Sequence, residues 1–282
     1  MSLDLILAGL TQGLILAIIA YAIMVPFRLL NFADLTAEGA YPVGGAVCAS
    51  CLYAGLSAPL AILFGTLAAG SMGVAVGLLH LRLKVNTLLA GIILSTMAYS
   101  VNLRILGKPN VALFNTVSIF PSNNQVQTTC ILVAFLSACL IPLALVLRTD
   151  IGLRLRAVGL NQGFAQQQGI SIVKYTLFGL FTASCLSGLA GGLMVQMQSY
   201  MDVTMGVGIV IHGLAALMIG ETLLGMRTMS SQLAAPLIGA LIYQQIQGFA
   251  LTIGLAPSDL KLFTGMIVIL VILIRENTKW CR

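Results

Sequence analysis

Apolar runs of roughly 20 residues follow one another along nearly the whole chain, each closed by a short polar or glycine-containing interval. An α-helix needs about 20 such residues to cross the ~30 Å hydrocarbon core of a bilayer. The runs fall at 4–26, 37–56, 58–79, 87–106, 127–147, 174–198, 206–225, 231–250 and 260–275. They predict an all-α, polytopic bundle of about nine membrane segments, eight to ten if one neighbouring pair merges or splits. A transmembrane β-barrel would instead show segments of about 10 residues with alternating character, and these runs do not alternate.

Two polar intervals interrupt the pattern. One, GKPNVALFNTVSIFPSNNQ, separates the fourth and fifth runs. The other, LRTDIGLRLRAVGLNQGFAQQQGISIVK at 147–174, carries Arg148, Arg154, Arg156 and Lys174 and a cluster of glutamines. It is too polar to cross a bilayer and too short to be an enzyme domain. Thr149 and Asp150 are candidate helix caps, and Gly159, Gly163 and Gly169 are expected breaks. Leu153, Leu155, Val158, Leu160, Phe164 and Ile170 make the segment partly amphipathic. It either lies along its own membrane domain or projects as a knob for a partner.

Composition agrees with the membrane reading. The 282 residues are 59% hydrophobic and only 8% charged, where a soluble domain carries about a quarter charged residues. No Pro/Gly/Ser-rich linker divides the chain, so 1–282 reads as a single membrane domain with a protruding loop at about 148–173. The net charge of +6 reports orientation rather than nucleic-acid binding. With nine crossings the termini lie on opposite sides. Placing the carboxyl end inside puts eleven of the fourteen Lys/Arg inside as well, so the amino terminus is expected outside and the 148–173 loop in the cytoplasm. The first run lacks a basic leader and a small-residue cleavage site, and reads as a retained helix.

Six cysteines lie mostly within apolar runs and read as small buried hydrophobes. Cys48-x-x-Cys51 lacks the second pair or nearby histidine that a metal site needs. His80 and His212 stand far apart, so no metal site is expected. Neither a G-x-x-x-x-G-K-[ST] phosphate loop nor a Ser/His/Asp or Cys/His set is present. The expected chemistry is passage rather than bond breaking.

Passage needs a polar route enclosed by protein or water. Asp34 and Glu38 stand four apart beside the glycines and Pro42 of the second run. A carboxylate at midplane costs at least about 2.5–3.5 kcal/mol on insertion scales. Glu38 therefore either faces a cavity or partner, or is an interfacial carboxylate near a helix start. Thr87, Ser95, Tyr99 and Asn102 recur at roughly helical spacing and either line the route or bond between helices. Arg104 and Lys108 sit at the outer end of that helix, as steering or solvated charges. Glu221 is expected to pair with an inside basic residue such as Arg227. SGLAGG, 187–192, is expected to let helices approach closely. Gln196, Gln198, Tyr200 and Asp202 make a polar outer end, with Gln244, Gln245 and Gln247 as a weaker second set.

GLRLRAVGLNQGFAQQQGI resembles the cytoplasmic loop of bacterial ABC-importer permeases of the branched-chain amino acid and ribose permease superfamily, matching at Gly152, Arg156, Ala157, Ala165, Gly169 and Ile170. LLNFADLTAEGAYPVGG, with Asn31, Phe32, Ala33 and Gly39 to Tyr41, is similar to a second family signature, and the later Gly-rich stretches extend the resemblance over most of the chain. VNTLLAGIILSTMAYSVNLRILGKPN looks like the subgroup paired with binding proteins for tryptophan and related amino acids. The resemblance implies a coupling helix that docks on a separate ATPase, with Arg154, Asn161 and Gln162 beside the matching positions. Asn161 and Gln162 replace acidic residues common in relatives, which removes a specific salt bridge but not the docking role. It further implies a route passing Asn31, Asp34, Glu38 and Tyr41, and a pair of permease copies, a homodimer or two related chains, in the cytoplasmic membrane. An extracytoplasmic solute-binding protein would deliver an amino acid, aromatic or branched-chain. ATP and magnesium would be bound by the partner, with no cofactor in this chain. Sugar or nucleoside import, an autonomous ion-coupled carrier using Asp34 or Glu38, and a non-transporting scaffold are the alternatives.

Overall fold

The computed structural model describes residues 3–252 except 115, 122–124 and 226–227, together with 254, 259, 262, 264–267, 269, 270 and 273. The ordered helices are α1 (Leu3–Met24), α2 (Ala37–Tyr53), α3 (Ala58–Leu83), α4 (Thr87–Leu106), α5 (Gln125–Arg148), the short α6 (Asp150–Leu160) and α7 (Gln162–Gln167), then α8 (Ile172–Gln198), α9 (Ile209–Leu224) and α10 (Met229–Thr252). Among the described residues, five stretches of helix are long and apolar enough to cross a membrane: Ile6–Leu29, α3, α4, α5 and α8. Helices thus occupy the first eight predicted runs, but a count of nine crossings is not established. Half of the expected ninth run at 260–275 falls outside the described residues, and the positions described there are helical.

α2 occupies the centre, packed on α3, α4 and α8, while α1 joins this group to the α9–α10 pair. α5 leans mainly on α1 and α6. α1 continues through a π-helical turn, Val25–Leu29, in which Leu30 N donates to Val25 O at 3.2 Å. Pro26 lacks an amide to donate, so the regular ladder cannot pass through it. The SGLAGG stretch is a packing surface, as expected: a Cβ at Gly44 of α2 would strike the backbone of Gly188 in α8.

α2 and α9 depart from the expected spans. They have 17 and 16 residues, so at 1.5 Å per residue each is about 25 Å long. Neither starts at an end of the bundle. Gly39 packs against Ser95, midway along α4, and Gly206 packs against Glu38 and Pro42. Both helices therefore begin inside the protein, after irregular segments that fold back into it. Irregular backbone at membrane depth is stable only where its polar groups are satisfied. Here the Asp34 carboxylate accepts from Thr36 N at 2.8 Å and from the Thr36 hydroxyl. Ser95 Oγ donates to Leu35 O at 3.1 Å, and Ser187 Oγ donates to Ala37 O at 3.1 Å. Apolar content is alike in whole and partial crossings, which is why the runs did not separate them.

At the end of the bundle away from α6 and α7, the polar 107–125 interval contributes a short strand, β1 (Asn110–Ala112). It pairs antiparallel with β2 (Tyr200–Asp202), matching Val111 to Met201. Gln196, expected at an open polar end, is 3% exposed and acts as a tie. It donates to Ala58 O at 3.3 Å and accepts from Ile119 N at 3.2 Å.

The α2–α8 contact predicts that Gly44→Leu will cost about 3 kcal/mol or more. Thermal unfolding of detergent-purified protein should show a clearly lowered Tm, and an unchanged Tm would mean that the two helices are not in contact.

Candidate coupling segment and polar route

The segment between α5 and α8 folds as two short helices docked on one end of the bundle. Thr149 has extended N-cap backbone (φ −87°, ψ 174°), but its hydroxyl donates back to Val146 O at 2.7 Å instead of capping α6. Leu155 and Val158 are buried, and Gly152 lies against the Leu147 backbone. Asn161 caps α7, accepting from Phe164 N at 3.0 Å. α7 ends in a Schellman turn, with Ile170 N on Ala165 O and Gly169 N on Gln166 O, both at 3.0 Å. That turn puts Gly169 at φ +75°, a backbone that favours glycine. Ala165 is fully buried.

The predicted coupling residues thus divide into two groups. Gly152, Ala165, Gly169 and Ile170 shape the segment and Asn161 caps it, while Ala157 is half-buried. Arg154 and Gln162 are exposed. The most exposed large hydrophobic side chains are Leu160 at 88%, Leu153 at 68% and Phe164 at 57% exposure. The sequence marked these three only as apolar contacts, because exposure depends on which face α6 buries.

Arg156 points back into the bundle. Its Nη2 donates to Leu147 O at 3.3 Å and approaches Met229 Sδ at 2.7 Å, and its Nε is buried without a partner among the described residues. Burial depresses its pKa from the usual guanidinium value, yet a guanidinium stays charged at neutral pH. It shares a small cavity of about 20 Å³ with Arg28 and Glu221. Arg28 grips the Glu221 carboxylate with both arms of its fork, Nε to Oε1 at 2.6 Å and Nη2 to Oε2. Glu221 thus pairs with Arg28; the expected partner, Arg227, lies outside the described residues. The Glu221 side chain is 3% exposed and that of Arg28 32%, so the carboxylate of the bidentate pair is desolvated while the guanidinium keeps contact with water.

Deeper in the bundle, Glu38 lies in the first turn of α2. Its Oε1 accepts from Gly208 N, the residue that precedes α9, at 3.2 Å. The carboxylate thus sits where two helix N-termini converge, and both dipoles favour its charge. Glu38, Ser95 and Tyr99 line one cavity of about 360 Å³, together with Thr96 and Val207. The other predicted route residues lie elsewhere. Asp34 is 4% exposed and consumed in the Thr36 turn. Asn31 is exposed with φ +50°, a left-handed turn that asparagine tolerates. Thr87 begins α4 after the Asn86 cap, and Tyr41 lines a different cavity. Asn102 is fully buried, with both amide atoms unpartnered among the described residues. His80 belongs to the fold: its ring meets Phe32 edge-on at 5.2 Å, and its Nδ1 bonds to Val85 O at 2.8 Å.

A multi-pass helical bundle with interior helix starts, a polar cavity among them and a paired-helix knob at one end has the form of a membrane permease. The chain belongs to the family described as branched-chain amino acid transport system / permease component, which matches residues 5–274. It is the permease subunit of an ABC transporter; in such systems the ATPase is a separate subunit. A tyrosine transport system permease protein of Clostridioides difficile is 36% identical over 264 residues, 94% of this chain and 89% of that one. A ribose import permease of Haemophilus influenzae is 28% identical, covering 98% of this chain and 86% of that one. In fold the chain is similar to a solved structure of a metal-chelate type ABC transporter in an inward-facing conformation, with TM-score 0.52 and 17% identity over 96% of this chain and 85% of that one.

Removing one partner of a pair whose carboxylate is desolvated costs about 3–5 kcal/mol. Glu221→Gln and Arg28→Ala should therefore each lower the Tm of the purified protein markedly. The exchange Arg28→Glu with Glu221→Arg should recover much of the loss, and an exchange no better than the single changes would show that the pair is not a direct contact.

Proposed function

We propose that two copies of this chain enclose a route through the cytoplasmic membrane of a bacterium. ATPase subunits act on the α6–α7 segment from the cytoplasm, and an external binding protein delivers an amino acid, aromatic in class, at the far end. The observation that carries the reading is the form of the α6–α7 segment: it is rigidly docked through Leu155, Val158 and Ala165 yet presents Leu153, Leu160 and Phe164 outward. A surface of that kind suits a partner with an apolar groove. Movement imposed there reaches the bundle through Arg156, which adjoins the Arg28–Glu221 pair joining the end of α1 to α9. ATPase closure favours one bundle state only to the extent that it contacts the segment differently in the two states.

In this reading the cavity of Glu38, Ser95, Thr96 and Tyr99 faces the second copy and forms a polar stretch of the route. The similarity to a tyrosine transport permease over nearly the whole length supports an amino-acid cargo; the weaker similarity to a ribose permease makes a sugar the competing cargo. An autonomous ion-coupled carrier would place the driving ion at Glu38 and need no ATPase.

In membranes containing the complete system, Leu160→Glu combined with Phe164→Glu should reduce ATP-dependent uptake at least tenfold while leaving the amount of folded permease unchanged. Undiminished uptake, or uptake that persists without ATP, would refute the coupling role. Ligand screening of the partner binding protein by thermal shift checks the cargo: stabilisation by tyrosine, phenylalanine or tryptophan is expected, and stabilisation by sugars alone would overturn the amino-acid assignment.

A further inference from the structure

A second intramembrane cavity, of about 180 Å³, lies on another face of α2, bounded by α1, α8, α9 and α10. Its walls are mostly apolar, with Leu16, Ile19, Met194 and Ile209 among them. One edge is a chain of polar groups. Gln247 Nε2 donates to Tyr243 Oη at 3.0 Å, and that hydroxyl pairs with His212 Nδ1 at 2.6 Å. Tyr243 also bonds to the Thr264 side chain, so its hydroxyl gathers Gln247, His212 and Thr264 into one polar cluster. Beside it, Gln244 Nε2 donates to Gln12 Oε1 at 2.6 Å.

Tyr41 differs from these groups. Its side chain is 3% exposed and lines the cavity, and its hydroxyl makes no hydrogen bond among the described residues. The hydroxyl oxygen is not sealed off, since the fully buried unpartnered side-chain atoms among the described residues belong to Asn102, Arg156 and Ser184, so it stays open to bond whatever enters the cavity. Gln12 lines both this cavity and a much larger polar one, about 980 Å³, at the far end of the bundle. The small site therefore adjoins an opening on the side where cargo is taken to arrive.

We propose that this cavity is a cargo subsite receiving the aromatic ring of the transported amino acid, with the Tyr41 hydroxyl meeting a polar substituent on that ring. The proposal rests on the aromatic amino-acid reading above. Among the described residues no Asp, Glu, Lys or Arg lines the cavity, which suits a neutral ring and not an ammonium or carboxylate. Glu38, one turn before Tyr41 on α2, lines the other cavity and is the charged group nearest in sequence. The apolar walls clamp the ring, and the hydroxyl distinguishes a phenol from a plain phenyl. A site built to bond a hydroxyl rejects the analogue that lacks one far better than an apolar pocket selects by size.

The test uses the complete transporter in proteoliposomes, with labelled L-tyrosine and L-phenylalanine as probes. Tyr41→Phe should shift the ratio of tyrosine to phenylalanine uptake about tenfold toward phenylalanine, a ratio that a general loss of folded protein does not move. Leu16→Trp, which fills the cavity, should reduce uptake of both at least tenfold, and Met194→Phe provides a second filling variant if the first misfolds. An unaltered ratio in Tyr41→Phe, or full uptake through a filled cavity, overturns the subsite while leaving the amino-acid assignment intact. Failure of the unaltered transporter to take up either amino acid overturns both.

Discussion

Hydrocarbon offers no water to an unpaired amide or carbonyl, and this chain places two helix starts inside its own bundle. The structure depends on how those starts are satisfied. Asp34 closes the turn before α2 through Thr36, Ser95 and Ser187 reach across to carbonyls of the same stretch, and Glu38 accepts the amide that precedes α9. Each of these groups would be expensive alone at that depth. Together they convert a discontinuity into a fixed polar site in the middle of the molecule. The two carboxylates that stood out in the sequence thus have different duties. Asp34 is spent on the backbone, whereas Glu38 is shared between a helix start and a cavity.

The same economy holds at the α6–α7 end. A buried Glu221 is tolerable because Arg28 engages both of its oxygens, and a second guanidinium, Arg156, lies in the same small space. Arg156, bonded to Leu147 O, brings the paired-helix segment up against the Arg28–Glu221 pair at the ends of α1 and α9. A displacement of α6 changes which contacts Arg156 makes, so the segment is mechanically connected to the helices that bound the interior cavities. Its fold is fixed by Ala165, Gly169 and Ile170, which leaves Leu153, Leu160 and Phe164 free of internal duties.

Much of this was legible in the chain. The run at 87–106 is α4 to the residue, and those near 127–147 and 174–198 are α5 and α8 within two residues. The 148–173 segment was recognisable from its charge, glycines and resemblance to a family loop. Ser95, Tyr99 and Glu38 were also named, and they meet in one cavity. What escaped depends on long-range geometry. Arg28 and Glu221 are 193 positions apart, and the β1–β2 pair joins segments some 90 residues distant. His212 looked isolated because its partner Tyr243 lies on another helix. Periodicity cannot show that α2 and α9 start at depth, since a partial crossing is as apolar as a full one. Thr87 and Asn102 shared the helical spacing of Ser95 but not its cavity, because α2 passes only part of that face.

What meets Leu160, the most exposed large hydrophobic side chain of the paired-helix segment, decides the coupling role. A photo-crosslinking residue placed there, in membranes of cells expressing the whole system, measures this directly. The account predicts an adduct with the ATPase subunit, and protection of the position from membrane-impermeant reagents added outside intact cells. Labelling from outside, or no adduct with a nucleotide-hydrolysing partner, would contradict it.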